Sequence, residues 1–399
     1  MRIAQIAPLY ERVPPKLYGG TERVVSYLTE ELVRQGHDVT LFASEDSRTS
    51  AKLVRCCDMA LRLNPSVREP LVYHVIMLEE LRQRIDQFDV LHFHIDILHA
   101  PLIRPFADRT LTTQHGRLDL PDLAPFYGAF RDLPLVAVSH DQRRYLPHAN
   151  WVGTVHHGLP RDLLAFQPEA GGYLAFLGRI APEKGPNRAI EIAARSGMPL
   201  KIAAKIDRVD RAYWDEQIRP MVESHSNVEF IGEIGESDKA EFLGGSAALL
   251  FPVWLVMIEA MACGTPVIAF RSGSVSEVVA DRVSGFIVDT IEEAVAAVRR
   301  VATLDRAKIR SEFERRFTAE RMAHGYLEIY QDLAAAGTKS ALVRGLKTKK
   351  AKERYPLQIP SQKTTRPLAG VVPAGTEIKI QECNVGDLRG RSGVPTDLS

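Results

Sequence analysis

Short apolar runs recur along this chain from its first residues to about residue 289, each followed by a segment of helical period. In the first half they are RIAQIAP, DVTLFAS, DVLHFHI, TLTTQ and LVAVS; in the second, YLAFLG, LKIAAK, VEFIG, ALLFP, PVIAF and GFIVD. Runs with so little charge inside them, separated by helices, suit parallel strands covered on both faces. After Gly20 the helical period is plain: Val24, Val25, Leu28, Leu32 and Val33 form one stripe, and Gly36 stands where a helix should stop. The pattern predicts two doubly wound α/β units. Their boundary is expected between residues 150 and 170, where Gly153, Gly158, Pro160, Pro168, Gly171 and Gly172 cluster.

Length agrees with that division, since 399 residues leave room for two domains of roughly 150 and a remainder. An apolar fraction of 45% excludes a disordered or collagen-like chain. The net charge of +1 hides an asymmetry: the first 338 residues hold 39 Lys and Arg against 45 Asp and Glu, whereas residues 339–399 hold 12 against 5. An acidic body near −6 thus carries a basic tail near +7. Cys56, Cys57, Cys263 and Cys383 have neither zinc-cage nor disulfide-framework spacing. No signal-like opening and no apolar run of about 18 residues is present, so a cytoplasmic protein is expected.

Ligands of open parallel sheets bind beyond the carboxyl ends of the strands, so chemistry is sought just after each run. Gly19 and Gly20 precede the first helix, where backbone N–H groups and the helix dipole can meet a phosphate; a plain glycine turn is the alternative. YLAFLG runs into Arg179 and Lys184, a fork and a point charge able to converge on a diphosphate; a solvated charge pair is the alternative. Glu259 is the one acid in the apolar stretch LVMIEAMACG and must find donors, whether ribose hydroxyls, an arginine or backbone amides; a structural ion pair is the alternative to a ligand contact. His92, His94 and Asp96 alternate on one strand, with His99 behind. Such a row does not converge as metal ligands do, and it is read as lining a cleft. His115 follows TLTTQ and is a candidate to hydrogen-bond a substrate, with a loop-satisfied histidine as the alternative. Ser139 with Arg143 and Arg144, and His156 with His157, follow the next two strands and are weaker signals. No Ser-His-Asp, Cys-His or GxxxxGK[ST] arrangement occurs.

Taken in order, GGTERVVSYLTEELVRQGHDVTLFAS, TQHGRLD, FLGRIAPEKG and LVMIEAMACGTPVIAFRSGSVSEVV resemble the retaining, nucleotide-sugar-dependent enzymes of glycosyltransferase family 4. The resemblance spans about residues 1–335. It implies an α/β fold of GT-B architecture, with two Rossmann-like doubly wound parallel-sheet domains facing a central cleft. Residues 1–155 then form the acceptor-side domain and 156–317 the nucleotide-sugar domain. Residues 318–337 form a helix packing back toward the first domain; residues 338–399 lie outside the resemblance and read, from their basic charge and lack of apolar period, as a disordered tail. It also implies metal-independent transfer of a sugar, with no cofactor beyond the nucleoside diphosphate sugar as co-substrate. By resemblance Arg179 and Lys184 match the diphosphate-binding pair and Glu259 the carboxylate that grips the ribose, with Leu255 and Val256 beside it in the donor site. Gly19 and Gly20 match the glycine loop near the phosphates, and His115 the histidine that reaches the donor sugar; His115, Arg179 and Lys184 are the catalytic candidates.

The chain departs from the family in one place. The family carries two glutamates eight positions apart, the first followed by Pro-Phe-Gly, whereas here position 251 is Phe and FPVW runs straight into LVMIE. About four to six residues between Trp254 and Leu255 are lacking, among them a carboxylate for the donor sugar. The expectation is a nucleotide pocket that survives better than the sugar pocket, with weakened or lost transfer. A non-catalytic nucleotide or sugar-nucleotide binding protein on the same scaffold is the competing reading, and a GT-B epimerase a third. The acceptor, whether sugar, lipid or small molecule, is not legible. No specific nucleic-acid partner is expected, and peripheral membrane contact through the basic tail stays open.

Overall fold

A computed structural model describes residues 1–250 and 255–335. The predicted lack of residues beyond Trp254, the tail from residue 338 and Cys383 therefore fall at or beyond the edges of the described residues. All eleven predicted runs contain a strand. β1 (Arg2–Ile6), β2 (Asp38–Ala43), β3 (Lys52–Arg55), β4 (Val90–Phe93), β5 (Thr110–Gln114), β6 (Leu135–Ala137) and β7 (Trp151–Thr154) form one sheet, ordered β3-β2-β1-β4-β5-β6-β7. β8 (Leu174–Arg179), β9 (Leu200–Lys205), β10 (Val228–Gly232), β11 (Ala248–Leu250), β12 (Val267–Phe270) and β13 (Gly285–Val288) form a second, ordered β10-β9-β8-β11-β12-β13. Every pairing in both sheets is parallel. β3 and β7, the edges of the first sheet, carry no uniform apolar run because both are only partly covered, unlike the edge strand β13 of the second sheet.

Each sheet reverses its strand order once, between β1 and β4 in the first and between β8 and β11 in the second. At such a point the adjoining loops leave in opposite directions and open a crevice at the strand ends. The loops after β1, β4 and β8 carry Gly19, His94 and Lys184, and the helix Leu255–Ala262 after β11 carries Glu259. Topology alone therefore brings four of the scattered motifs to two crevices.

The first helix, α1 (Gly20–Arg34), buries Val24, Val25, Leu28 and Leu32 against its sheet. It ends at Gly36, whose φ of 85° is the left-handed conformation of a helix stop; the Gly36 and His37 N–H groups cap Val33 and Leu32. A last helix, residues 319–335, lays Tyr326 and Tyr330 into the first sheet although it follows the second in sequence. Both rings are fully buried. Gly158 lets the chain approach this crossing, since a Cβ there would lie 2.2 Å from the Thr318 carbonyl oxygen. Cys56, Cys57 and Cys263 are free thiols. Among the described residues no helix is long and apolar enough to cross a membrane.

Candidate functional site

The loops of both sheets line one cleft of roughly 950 Å³, the size of a small-molecule site. Gly19, Gly20, His115, Arg179, Lys184, Leu255, Val256 and Glu259 all border it. Gly19 is required by packing, because a Cβ would meet the Pro15 ring at 2.8 Å. Gly20, the first residue of α1, faces open space, with nothing within 4 Å of its virtual Cβ.

Arg179 ends β8, and Lys184 closes the short 3-10 turn Pro182–Lys184 ahead of the helix Pro186–Ser196. Their surroundings differ. Arg179 is surrounded by acids: Glu183 at 2.6 Å, Asp207 at 3.4 Å and Asp210 at 3.5 Å. Lys184 has no ion-pair partner among the described residues, and burial holds its pKa below the ordinary lysine value. A cation that is partly desolvated and unpaired is suited to take an anion. Across the cleft Tyr18 lies under Lys205, with the ammonium 5.4 Å from the ring centre.

Glu259 is 1% exposed and finds its donor in a residue the sequence did not flag, Lys239, whose Nζ lies 2.7 Å from Oε1. Lys239 also lies 3.4 Å from Glu236, which pairs with Arg23 of α1. The contact is a structural ion pair, the alternative open for Glu259, made by a lysine rather than an arginine.

The histidines divide into two groups. His92 and His99 do not line the cleft: His92 is bonded to Tyr330 (2.6 Å) and Thr113 (2.7 Å), and His99 stacks on Phe93 and bonds Thr112 at 2.7 Å. Alternation put His92 on the same face as His94, but the last helix covers that face before the cleft begins. His94 and His115 do border the cleft. Gln5 donates from Nε2 to the Tyr330 hydroxyl at 3.1 Å, and its Oε1 accepts from His94 Nε2 at 2.7 Å. His94 Nδ1 is then the acceptor for His115 Nε2–H at 2.8 Å, which leaves His115 Nδ1 as an unprotonated acceptor with no partner among the described residues. Burial, reinforced by the neighbouring imidazoles, holds His92, His94 and His115 well below the usual histidine pKa. His115 therefore presents a lone pair rather than a charge.

Of the weaker candidates His157 borders the cleft, its ring 5.3 Å from that of His115, whereas Ser139, Arg144 and His156 make structural contacts. Ser139 caps the short helix His140–Arg143 by accepting from the Gln142 N–H at 3.1 Å, and Arg144 pairs with Asp141. His156 bonds Glu277 at 3.1 Å, and the same carboxylate accepts from the His140 and Asp141 N–H groups at 2.7 Å, bridging the two halves. Asp96 borders the cleft with φ at 54°, an uncommon conformation for a residue other than glycine. Among the described residues no group of three or more His, Cys, Asp or Glu side chains converges as a metal site. No local signal marks Lys239, Gln5 or Tyr330, because their partners lie 20, 89 and 238 residues away.

Comparison with known proteins agrees with this geometry. The family model for Glycosyltransferase Family 4 matches residues 18–170, and that for Glycosyl transferases group 1 matches residues 166–318. A phosphatidyl-myo-inositol mannosyltransferase of Mycobacterium leprae is 25% identical over 386 residues, covering 85% of this chain and 99% of the relative. Sucrose-phosphate synthase of Thermosynechococcus elongatus superposes with a TM-score of 0.68 at 19% identity, covering 84% of this chain and 100% of that one. An Anabaena protein crystallised with UDP and glucose superposes with a TM-score of 0.64 at 15% identity, covering 83% and 100%. Two facing parallel sheets, with these matches on either half, define the GT-B class. The chain is a glycosyl transferase enzyme of that architecture, carrying a family 4 domain in its first half and a group 1 domain in its second. The named relatives favour it over the reading as a non-catalytic binding protein.

Proposed function

We propose that this protein transfers a sugar from a nucleoside diphosphate sugar to an acceptor, with retention of configuration and without a metal. The observation that carries this reading is the convergence of Arg179, Lys184 and Glu259 from one sheet with Gly19, Gly20 and His115 from the other on one cleft. Glu259 would take the ribose hydroxyls, and Lys184 and Arg179 the diphosphate. Gly20 would let the amino end of α1 approach the phosphates, and His115 Nδ1 would accept a donor-sugar hydroxyl.

As the sugar–phosphate bond breaks, the nucleoside diphosphate gains negative charge while the sugar becomes oxocarbenium-like. Cations and helix N–H groups aimed at the phosphates stabilise that state more than the ground state. The new C1–O bond forms on the face the phosphate leaves, and a departing phosphate oxygen takes the acceptor's proton. The lack of residues beyond Trp254 removes a carboxylate for the sugar and shortens the loop expected along sugar and phosphate, whereas Arg179, Lys184 and Glu259 remain at the cleft, so turnover falls further than nucleotide affinity.

Calorimetric titration with UDP, GDP and ADP, followed by a donor-turnover assay with the matching nucleotide sugars, tests this. Expected are micromolar binding of one diphosphate, indifference to chelator, and slow transfer with retained anomeric configuration. No binding of any of the three, or an inverted product, would overturn it.

A lipid-borne acceptor is favoured by one further observation. Helix α2 (Pro70–Arg84) leaves Leu71, Val72, Val75 and Ile76 exposed on one side, while His74 of the same helix borders the cleft. Cosedimentation with anionic vesicles, weakened when Val72 and Ile76 become Ser, checks this reading; unchanged cosedimentation refutes it.

A further inference from the structure

Four charged side chains form a continuous string across the cleft. Arg23, in the first turn of α1, pairs through Nη1 with Glu236 Oε2, and its Nη2 donates to the Leu17 carbonyl at 2.6 Å. Glu236 opens the helix Glu236–Gly244 of the second domain; one turn on, Lys239 Nζ lies 3.4 Å from Glu236 and 2.7 Å from Glu259 Oε1. The side chains of Arg23, Lys239 and Glu259 are 5%, 12% and 1% exposed. Signs alternate along the string, which begins beside the glycine loop of one domain and ends on the carboxylate of the other.

Burying four charges is costly, and hydrophobic residues of the same volume would stabilise the fold at least as well. What the string adds is orientation. A glutamate midway along an apolar helix has three side-chain torsions, and one hydrogen bond to a fixed ammonium removes most of that freedom. Lys239 engages Oε1, and among the described residues Oε2 has no hydrogen bond, so Oε2 is presented in one direction. Lys239 is itself held by Glu236, and Glu236 by an arginine of the opposite domain.

We propose that Lys239 is a positioning residue for Glu259, and that the Arg23–Glu236 pair ties this position to contact between the two domains. The selection of ribonucleoside over deoxyribonucleoside diphosphates is then a property of both domains, although the nucleotide site lies in the second. This inference rests on the reading of Glu259 as the ribose carboxylate. It adds that Glu259 does not act alone, and that a substitution at Arg23 is felt at the ribose.

The test is calorimetric titration of the full chain with whichever of UDP, GDP and ADP binds tightest, and with its 2′-deoxy and 3′-deoxy counterparts. The wild type is expected to prefer the ribonucleotide at least tenfold over one of the deoxy forms. Glu259→Gln is expected to reduce that ratio to about two, which sets the floor. Lys239→Met should bring the ratio to within about threefold of that floor, with Lys239→Arg restoring part of it. Arg23→Met and Glu236→Gln should each lower the ratio at least threefold. A purely architectural lysine would weaken ribo and deoxy forms alike, leaving the ratio unchanged. If Glu259→Gln erases the preference while Lys239→Met, Arg23→Met and Glu236→Gln keep it, the string is overturned and the ribose reading stands. If the wild type shows no preference, or Glu259→Gln keeps it, the ribose reading fails first. Should Lys239→Met not fold, the Arg23 and Glu236 variants decide the question alone.

Discussion

Replacing Arg179 should weaken diphosphate binding more than replacing Lys184, and part of the difference should be recoverable. Lys184→Ala removes one charge-assisted contact, worth about 1.5–3 kcal/mol, or roughly 10- to 150-fold in Kd. Arg179→Ala removes a contact of the same kind and also strips the counter-charge from Glu183, Asp207 and Asp210, which lie 2.6, 3.4 and 3.5 Å from it. A carboxylate about 7 Å from a phosphate, at an effective dielectric of about 20–40, repels it by roughly 1–2 kcal/mol. Lys205, 3.1 Å from Asp207, offsets some of this, and solvent screens the partly exposed acids further. The net expectation for Arg179→Ala is a loss of about 3–5 kcal/mol, or a few hundred- to a few thousand-fold. Adding Asp207→Asn and Asp210→Asn to Arg179→Ala should return affinity to about the Lys184→Ala level. In the wild-type background the same two changes should tighten binding, because they release the guanidinium. The assay is calorimetric titration at fixed low salt with the diphosphate that binds best. An Arg179→Ala variant no weaker than Lys184→Ala, or no recovery on neutralising the aspartates, would refute the reasoning.

Three further outcomes follow from the same geometry. Tyr330→Phe leaves His92 Nδ1 and Gln5 Nε2 unpaired in the interior, and urea unfolding should show a loss of about 2–4 kcal/mol; less than 1 would mean the hydroxyl is not their partner. Acid should destabilise the fold early. The folded pKa values of His92, His94, His99 and His115 lie below the unfolded value of about 6.5, so their stability is present above that pH and lost as pH falls through it, at up to about 1.4 kcal/mol per histidine per unit. Glu22, pushed up to about 7 by burial, offsets about 1–2 kcal/mol between pH 7 and 5.5, leaving a net loss of about 2–4 kcal/mol in urea melts; a flat profile would contradict the buried neutral chain. The two glycines should separate stability from binding. Gly19→Ala forces the Pro15 ring aside and lowers both, whereas Gly20→Ala keeps the wild-type melting temperature and loses diphosphate affinity at least tenfold, because its Cβ enters the space left for the ligand.

What the sequence by itself determined is local and periodic. Runs with little charge between helical stripes suit parallel strands covered on both faces, so the α/β class and eleven of the thirteen strands, the edges of the second sheet among them, were legible in the sequence. The motifs following those strands were equally legible, since Gly19, Arg179, Lys184 and Glu259 stand out against their immediate neighbours. The edge strands β3 and β7 were not, because a half-covered strand need not be apolar. Tertiary structure decided who meets whom. Nothing around Glu259 names Lys239 as its donor, and nothing near Arg179 reveals the aspartates beyond β9. Alternation placed His92 with His94, but only the return of the last helix over the first sheet takes His92 into the interior and leaves His94 and His115 at the cleft. Side-chain period is a property of one element, whereas pairing across 20 to 325 residues depends on how the elements pack, and that is where the charge of Arg179 and the lone pair of His115 are set.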